Sequence, residues 1–163
     1  MKAALLALLA RLFFQGEVTP AIETRATGAA QEIIEVINAR LPDAPPGERM
    51  AWARVLFTWS RYEALFFADP RGFGDDHQAC GVMQVHNPHR YVDGATCAKV
   101  RADRRLGYRV GLEVALMLAT KCGSRGLGLS AYASDGTCPS SVFPIVSRRC
   151  LRAGLTATCE VMP

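Results

Sequence analysis

Glu63 is the carboxylate in this sequence best placed for acid–base chemistry. It closes an apolar helical run and has Trp59, Tyr62, Leu65 and Phe66 as close neighbours in the chain. A carboxyl in such company is poorly solvated, which favours its neutral form and lets it serve as a general acid toward a poor leaving group such as a glycosidic oxygen. The competing expectation is an ion pair with Arg61 or Arg71 at the exposed end of the helix. Asp75 and Asp76 follow in a Gly-rich loop, either as a second carboxylate or as turn formers. Beyond them stand Gly81-Val82-Met83-Gln84 and then Ser130-Ala131-Tyr132. Cys80 with His86 offers a different chemistry, a thiol nucleophile with its base, which would make the chain a peptidase. His77, His86 and His89 invite a metal reading, but Pro88 interrupts the last two and no H-E-x-x-H pattern occurs, so no metal or organic cofactor is expected.

These residues need a frame, and periodicity supplies it. Thr19-Pro20 reads as a helix start, with Thr as N-cap and Pro at the first helical position. Ile22, Ala26, Ala29, Ile33, Val36, Ile37 and Leu41 then recur at helical spacing until Pro42 to Gly47 stop the run. Residues 48–67 repeat the pattern and are more apolar than a surface helix, which predicts a central helix with Leu56, Trp59, Ser60 and Glu63 on one face. The stretch 71–79 reads as an irregular loop or a small hairpin. Further helices are expected over 103–120, from Leu129 to Ala133, and over 141–155 with Pro144 in the first turn, with a turn from Gly123 to Gly128 between the first two. Met1 to Phe14 is expected as a docked or amphipathic helix, an atypical export signal being the alternative; Arg11 breaks its apolar run far short of a bilayer's thickness. The fold class is mainly α, with accessory N-terminal helices over 1–46 and the principal domain over 47–163.

The chain has 163 residues, half of them apolar and 21% charged, a globular composition. Its net charge of +4 is uneven: residues 1–80 hold 8 basic and 10 acidic side chains, residues 81–163 hold 11 and 5. A basic second half suits a polyanionic partner or is a solvated face. Nucleic acid is not expected, because the aromatics are not interleaved with the basic residues as stacking platforms. All six cysteines (Cys80, Cys97, Cys122, Cys138, Cys150 and Cys159) lie in that half. Their even number and the lack of any C-x-x-C favour disulfides and an oxidising compartment over zinc, with buried free thiols as the alternative.

Taken in order, Glu63, Gly81-Val82-Met83-Gln84 and Ala131-Tyr132 resemble the lytic transglycosylases of the soluble, lysozyme-like superfamily, which includes the goose-type lysozymes. In that family a helix ends in a catalytic glutamate, a Gly-(Leu/Val/Ile)-Met-Gln segment follows about twenty residues on, and an Ala-Tyr-Asn-Ala-Gly segment comes later. The resemblance spans roughly Trp52 to Gly136. It implies a lysozyme-like domain acting on the glycan strands of peptidoglycan between N-acetylmuramic acid and N-acetylglucosamine. It also implies Glu63 as general acid and base, Tyr132 beside it, Gln84 on a sugar, and Met83, Gly81 and Ser130 lining the substrate site. Hydrolysis of the same bond would draw on Asp75 or Asp76 to activate water. Two departures bear on substrate preference: Ala64 stands where the family usually has Ser, and Ala133-Ser134-Asp135 replaces Asn-Ala-Gly. They also leave open a lysozyme-like module that binds cell wall, or forms part of a phage particle, without catalysis. The implied setting is outside the cytoplasm, in periplasm or cell wall, or in a virion.

Overall fold

The computed structural model describes residues 1–8, 18–66 and 79–161, and the chain is mainly α-helical. A short helix α1 (Lys2–Leu6) leads in and docks on α2 (Pro20–Arg40) and α3 (Pro46–Ala64) through Leu5 and Leu8. The helix expected over Met1 to Phe14 stops at Leu6, Ala7 and Leu8 form a turn, and the rest of that stretch falls outside the described residues. α2 starts where expected: the Thr19 hydroxyl accepts from the Ile22 amide at 3.3 Å, and Pro20 opens the first turn. Its buried stripe of Ala26, Ala29, Ala30, Ile33, Val36 and Ile37 packs against α3 and against α5 (Arg104–Cys122).

α3 is the central helix the sequence predicts, with its stretch from Trp52 to Ser60 buried apart from Arg54. It ends without a glycine. Leu65 (φ 48°) and Phe66 (φ 64°) are both left-handed, the Leu65 amide bonding to the Arg61 carbonyl at 3.2 Å and the Phe66 amide to that of Ser60 at 3.1 Å. Bulky residues in that region cost on the order of 1–3 kcal/mol each, so the surroundings must enforce the turn. Two contacts do so. The Phe66 ring lies 4.9 Å from that of Phe57, and Arg104 donates to the Phe66 carbonyl at 3.0 Å while both of its other nitrogens hold Glu32 at 2.6 and 2.8 Å.

After Ala79 the chain makes a tight turn, Gly81 to Gln84, closed by two backbone bonds between Cys80 and Val85. A helix the periodicity does not anticipate, α4 (Cys97–Ala102), follows with Thr96 as its cap. At six residues it is too short to declare an apolar period of its own. Asp103 caps α5 at the Arg105 and Leu106 amides, and Gly123 (φ 77°) ends it.

The expected turn from Gly123 to Gly128 is corrected here. Ser124 caps a helix, α6 (Arg125–Tyr132), that already contains Gly126 and Gly128. Those glycines serve close packing: a Cβ at Gly126 would meet the Thr158 carbonyl oxygen at 2.6 Å, and one at Gly128 would strike the backbone of Ala119. α7 (Pro144–Arg152) closes the helical set with Pro144 in its first turn. One cluster of buried side chains runs from Leu5 to Cys159, so α2 shares a core with the helices that follow residue 47.

All six cysteines are paired, Cys80–Cys97, Cys122–Cys138 and Cys150–Cys159. Each disulfide joins neighbours in the chain, which spacing alone does not dictate. With Cys80 in a disulfide, the thiol nucleophile paired with His86 is overturned, and so are the buried free thiols. Among the described residues no helix is long and apolar enough to cross a membrane.

Candidate active site

Three of the residues singled out by sequence meet at one cleft of about 530 Å³: Glu63 from the last turn of α3, Gln84 from the tight turn, and Tyr132 from the end of α6. Ile145 and Arg149 of α7 form the facing wall. The cleft continues past Gln84 and Tyr132 into a second hollow of about 380 Å³ reaching Tyr91, Val114 and Asp135. Together they make a groove suited to an elongated ligand.

Glu63 does not sit in the apolar surround the sequence suggests. Its side chain is 27% exposed, and Oε1 accepts from Arg149 Nη1 at 2.5 Å. The competing expectation of an arginine partner holds in kind, but the partner comes from α7 and not from Arg61. Arg71 lies outside the described residues. The Arg149 guanidinium is fixed in turn, 5.0 Å from the centre of the Tyr62 ring and 5.3 Å from that of Trp59. In this pairing Glu63 accepts a hydrogen bond, whereas a general acid donates one.

Tyr132 lies close enough to Glu63 for the two to interact electrostatically, but its hydroxyl donates to the Met83 carbonyl at 2.6 Å. Burial of the hydroxyl pushes its pKa well above the ordinary tyrosine value. The charges of Glu63 and Tyr91 add to the rise, and that of Arg149 opposes it. The bond therefore holds a neutral phenol that ties α6 to the tight turn beside Gln84.

Gln84 is left-handed (φ 50°), and its Nε2 donates to the Gly81 carbonyl at 2.7 Å. Its Oε1 is buried and has no hydrogen-bond partner among the described residues, while Gln84 itself lines the cleft. The turn is pinned from behind by the Cys80–Cys97 disulfide.

Of the remaining candidates, His86 also lines the cleft and the hollow beyond it, whereas Gly81, Met83 and Ser130 face elsewhere. Gly81 (φ 68°) is buried with its Cα against Val100, so its role is conformational. The Met83 side chain fills the space over Gly111, where a Cβ would meet its Cγ at 2.6 Å, and only its carbonyl turns toward Tyr132. Ser130 is buried and donates to the Gly126 carbonyl while accepting from the Phe143 amide, each at 2.9 Å, which fastens α6 to the start of α7. Asp75, Asp76 and His77 lie outside the described residues. Ala64 is 1% exposed, so a hydroxyl at that position would point into the core and not toward a ligand.

Arg149 is the cleft residue that sequence reasoning missed. A signal was present: Val146 and Cys150 form the buried face of α7, and Arg149 stands three residues after Val146 on that face. An arginine directed inward needs an anionic or aromatic partner, and this one has both. No protein-family model, curated protein or solved structure matches the chain, so the site rests on its own geometry.

Proposed function

We propose that the protein cleaves the glycan strands of peptidoglycan as a lytic transglycosylase, with Glu63 as its general acid and base. The observation that carries this reading is the meeting of Glu63, Gln84 and Tyr132 at one elongated cleft. Glu63, carrying a proton, delivers it to the glycosidic oxygen as the bond from muramic C1 to that oxygen breaks. The muramic C6 hydroxyl then closes on C1 and gives its proton to the Glu63 carboxylate, which leaves a 1,6-anhydro end and restores the acid. No water is consumed and a single carboxylate performs both transfers. Gln84, which lines the cleft beside Glu63, contacts the sugar. Tyr132, spent on the Met83 carbonyl, holds the Gln84 turn against the end of α6. Three disulfides fit a working life outside the cytoplasm, in the cell wall or in a phage particle.

A second reading, a wall-binding module without catalysis, is favoured by one observation: Glu63 Oε1 is engaged by Arg149. Digestion of purified peptidoglycan with wild type and Glu63→Gln, the soluble fragments being resolved by mass spectrometry, separates the possibilities. Anhydro-ended fragments from wild type alone are the expected result. Reducing ends would mean hydrolysis and direct attention to Asp75 and Asp76, with the two carboxyls roughly 6.5–9.5 Å apart if the configuration inverts. Binding without release would leave the wall-binding module.

A further inference from the structure

The ion pair at the cleft contains more than a glutamate held in place. Arg149 meets Glu63 through a single nitrogen, Nη1, and a single oxygen, Oε1. Its Nε is buried and makes no hydrogen bond. The Tyr62 and Trp59 rings lie beside the guanidinium, their centres 5.0 and 5.3 Å from it, and use none of its donors. Arg152, one turn further along α7, donates to the Tyr62 hydroxyl and lies over the same ring at 5.8 Å, so positive charge is concentrated on this wall of the cleft. A guanidinium held against two rings, paired through Nη1 alone and with Nη2 unbonded among the described residues, is suited to taking a second carboxylate.

We propose that Arg149 is a positioning residue that recognises a carboxylate carried by the substrate, and that this carboxylate draws the guanidinium off Glu63 so that the acid can take up the proton it must deliver. The inference rests on Glu63 being the general acid. The same contact then does two jobs: it admits anionic glycan and keeps Glu63 from acting on glycan without a carboxylate. In peptidoglycan the carboxylates belong to the stem peptides, and removing those peptides exposes the lactyl carboxylate of the muramic sugar, so either could be the group recognised.

The test uses the whole protein on three preparations of peptidoglycan: native wall, wall with its carboxylates converted to methylamides, and glycan strands freed of stem peptides by an amidase and immobilised on beads. Bound fraction and soluble release are measured for wild type, Arg149→Gln, Arg149→Lys and Arg148→Gln, with circular dichroism to establish folding. A hydrogen bond to a charged group is worth about 1.5–3 kcal/mol, so wild type should bind native wall at least about tenfold better than amidated wall. Arg149→Gln should bring that ratio to about one, and Arg149→Lys should leave an intermediate value. Arg148→Gln, which removes an equal charge from the exposed side of α7, should leave the ratio unchanged. Binding of stripped strands that depends on Arg149 shows that the lactyl carboxylate suffices, and its absence assigns the carboxylates of the peptide. Equal treatment of native and amidated wall by wild type overturns the inference, as does an unchanged ratio in Arg149→Gln or an equal fall in Arg148→Gln. A preference dependent on Arg149 with no release from any preparation would sustain carboxylate recognition and end the cleavage reading, so the two failures are separable.

Discussion

The two ends of α3 carry the same chemistry in different settings. At its start Glu48 and Trp52, four residues apart, meet Arg125; at its end Trp59 and Glu63, also four apart, meet Arg149. Arg125 is 6% exposed, touches both Glu48 oxygens at 2.6 Å, donates to the Cys159 carbonyl at 2.6 Å and reaches Glu160 at 3.4 Å. Arg149 is 15% exposed and meets Glu63 through one oxygen. The first arrangement joins the helix start to the C-terminal tail with both terminal nitrogens committed, its Nε, like that of Arg149, being unbonded among the described residues. The second leaves a contact that a competing anion can exchange. Cavity size does not tell them apart, since the hollow beside Arg125, about 800 Å³, is larger than the Glu63 cleft. What separates a brace from a site is how completely the charged groups are already satisfied.

The largest effect expected from this contrast is on activity. A positioned general acid contributes about 10²–10⁴-fold, so Glu63→Gln should lower the rate of fragment release by that factor while the melting temperature stays close to that of wild type. Glu48→Gln should do the opposite, lowering stability and leaving release per folded molecule unchanged. Equal loss of release in both variants would mean that the two ends do not divide the work as argued.

Next in size is a disulfide that joins the two ends. Cys150 follows Arg149 directly, and Cys159 supplies the carbonyl that Arg125 holds. Replacing Cys150 and Cys159 with serine should cost about 3 kcal/mol by the loop-entropy argument, read from denaturant midpoints. In a double-mutant cycle this change and Arg125→Gln should be non-additive by about 0.5–3 kcal/mol, because they loosen the same carbonyl. Arg125→Gln and Glu63→Gln, at opposite ends of α3, should add. Additivity in the first cycle would remove the link between the ends.

The arginines themselves come third. Arg125→Gln gives up hydrogen bonds between charged groups and leaves Glu48 short of a partner, a loss of about 1.5–3 kcal/mol. Arg149→Gln breaks a partly exposed pair and should cost about 1 kcal/mol or less. Thermal melts of the two variants rank them directly, and a greater loss for Arg149→Gln would make it the brace.

The sequence carries these two regions unequally. Helices α2, α3 and α5 are legible because their apolar residues recur with helical period between strong stops: Thr19-Pro20 and Pro42 around α2, Asp103 and Gly123 around α5. Glu63, Gln84 and Tyr132 are legible as candidates because each stands in a short, unusual setting. Neither arginine pairing is, since Arg125 lies 77 residues from Glu48 and Arg149 lies 86 from Glu63. A contact across such a distance leaves no local period, and every solvated arginine on a helix looks alike until packing selects one. The same holds for Gly126 and Gly128. Read locally they signal a turn, and only the approach of Ala119 and of the Thr158 carbonyl explains them inside a helix.

The smallest effect concerns the phenols at and away from the cleft. Tyr108, fully buried between α2 and α3, and Tyr132 both have raised pKa values, with burial as the first cause in each. The folded chain keeps these protons at a pH where the unfolded chain, with tyrosines near about 10, has begun to lose them. Their contribution to stability is therefore whole below about pH 10 and is lost as pH rises through the folded values. Denaturant melts should show stability unchanged by these groups from neutrality to about pH 9 and falling beyond about pH 10. Tyr132→Phe should cost about 1 kcal/mol at neutral pH for the bond to Met83 and should flatten part of the alkaline fall. Because Arg149 opposes the rise at Tyr132 and is not among the causes at Tyr108, Arg149→Gln should alter the alkaline limb through Tyr132 alone. An unaltered limb in Arg149→Gln that also persists in Tyr132→Phe would place the alkaline transition at Tyr108, in the core and not at the cleft.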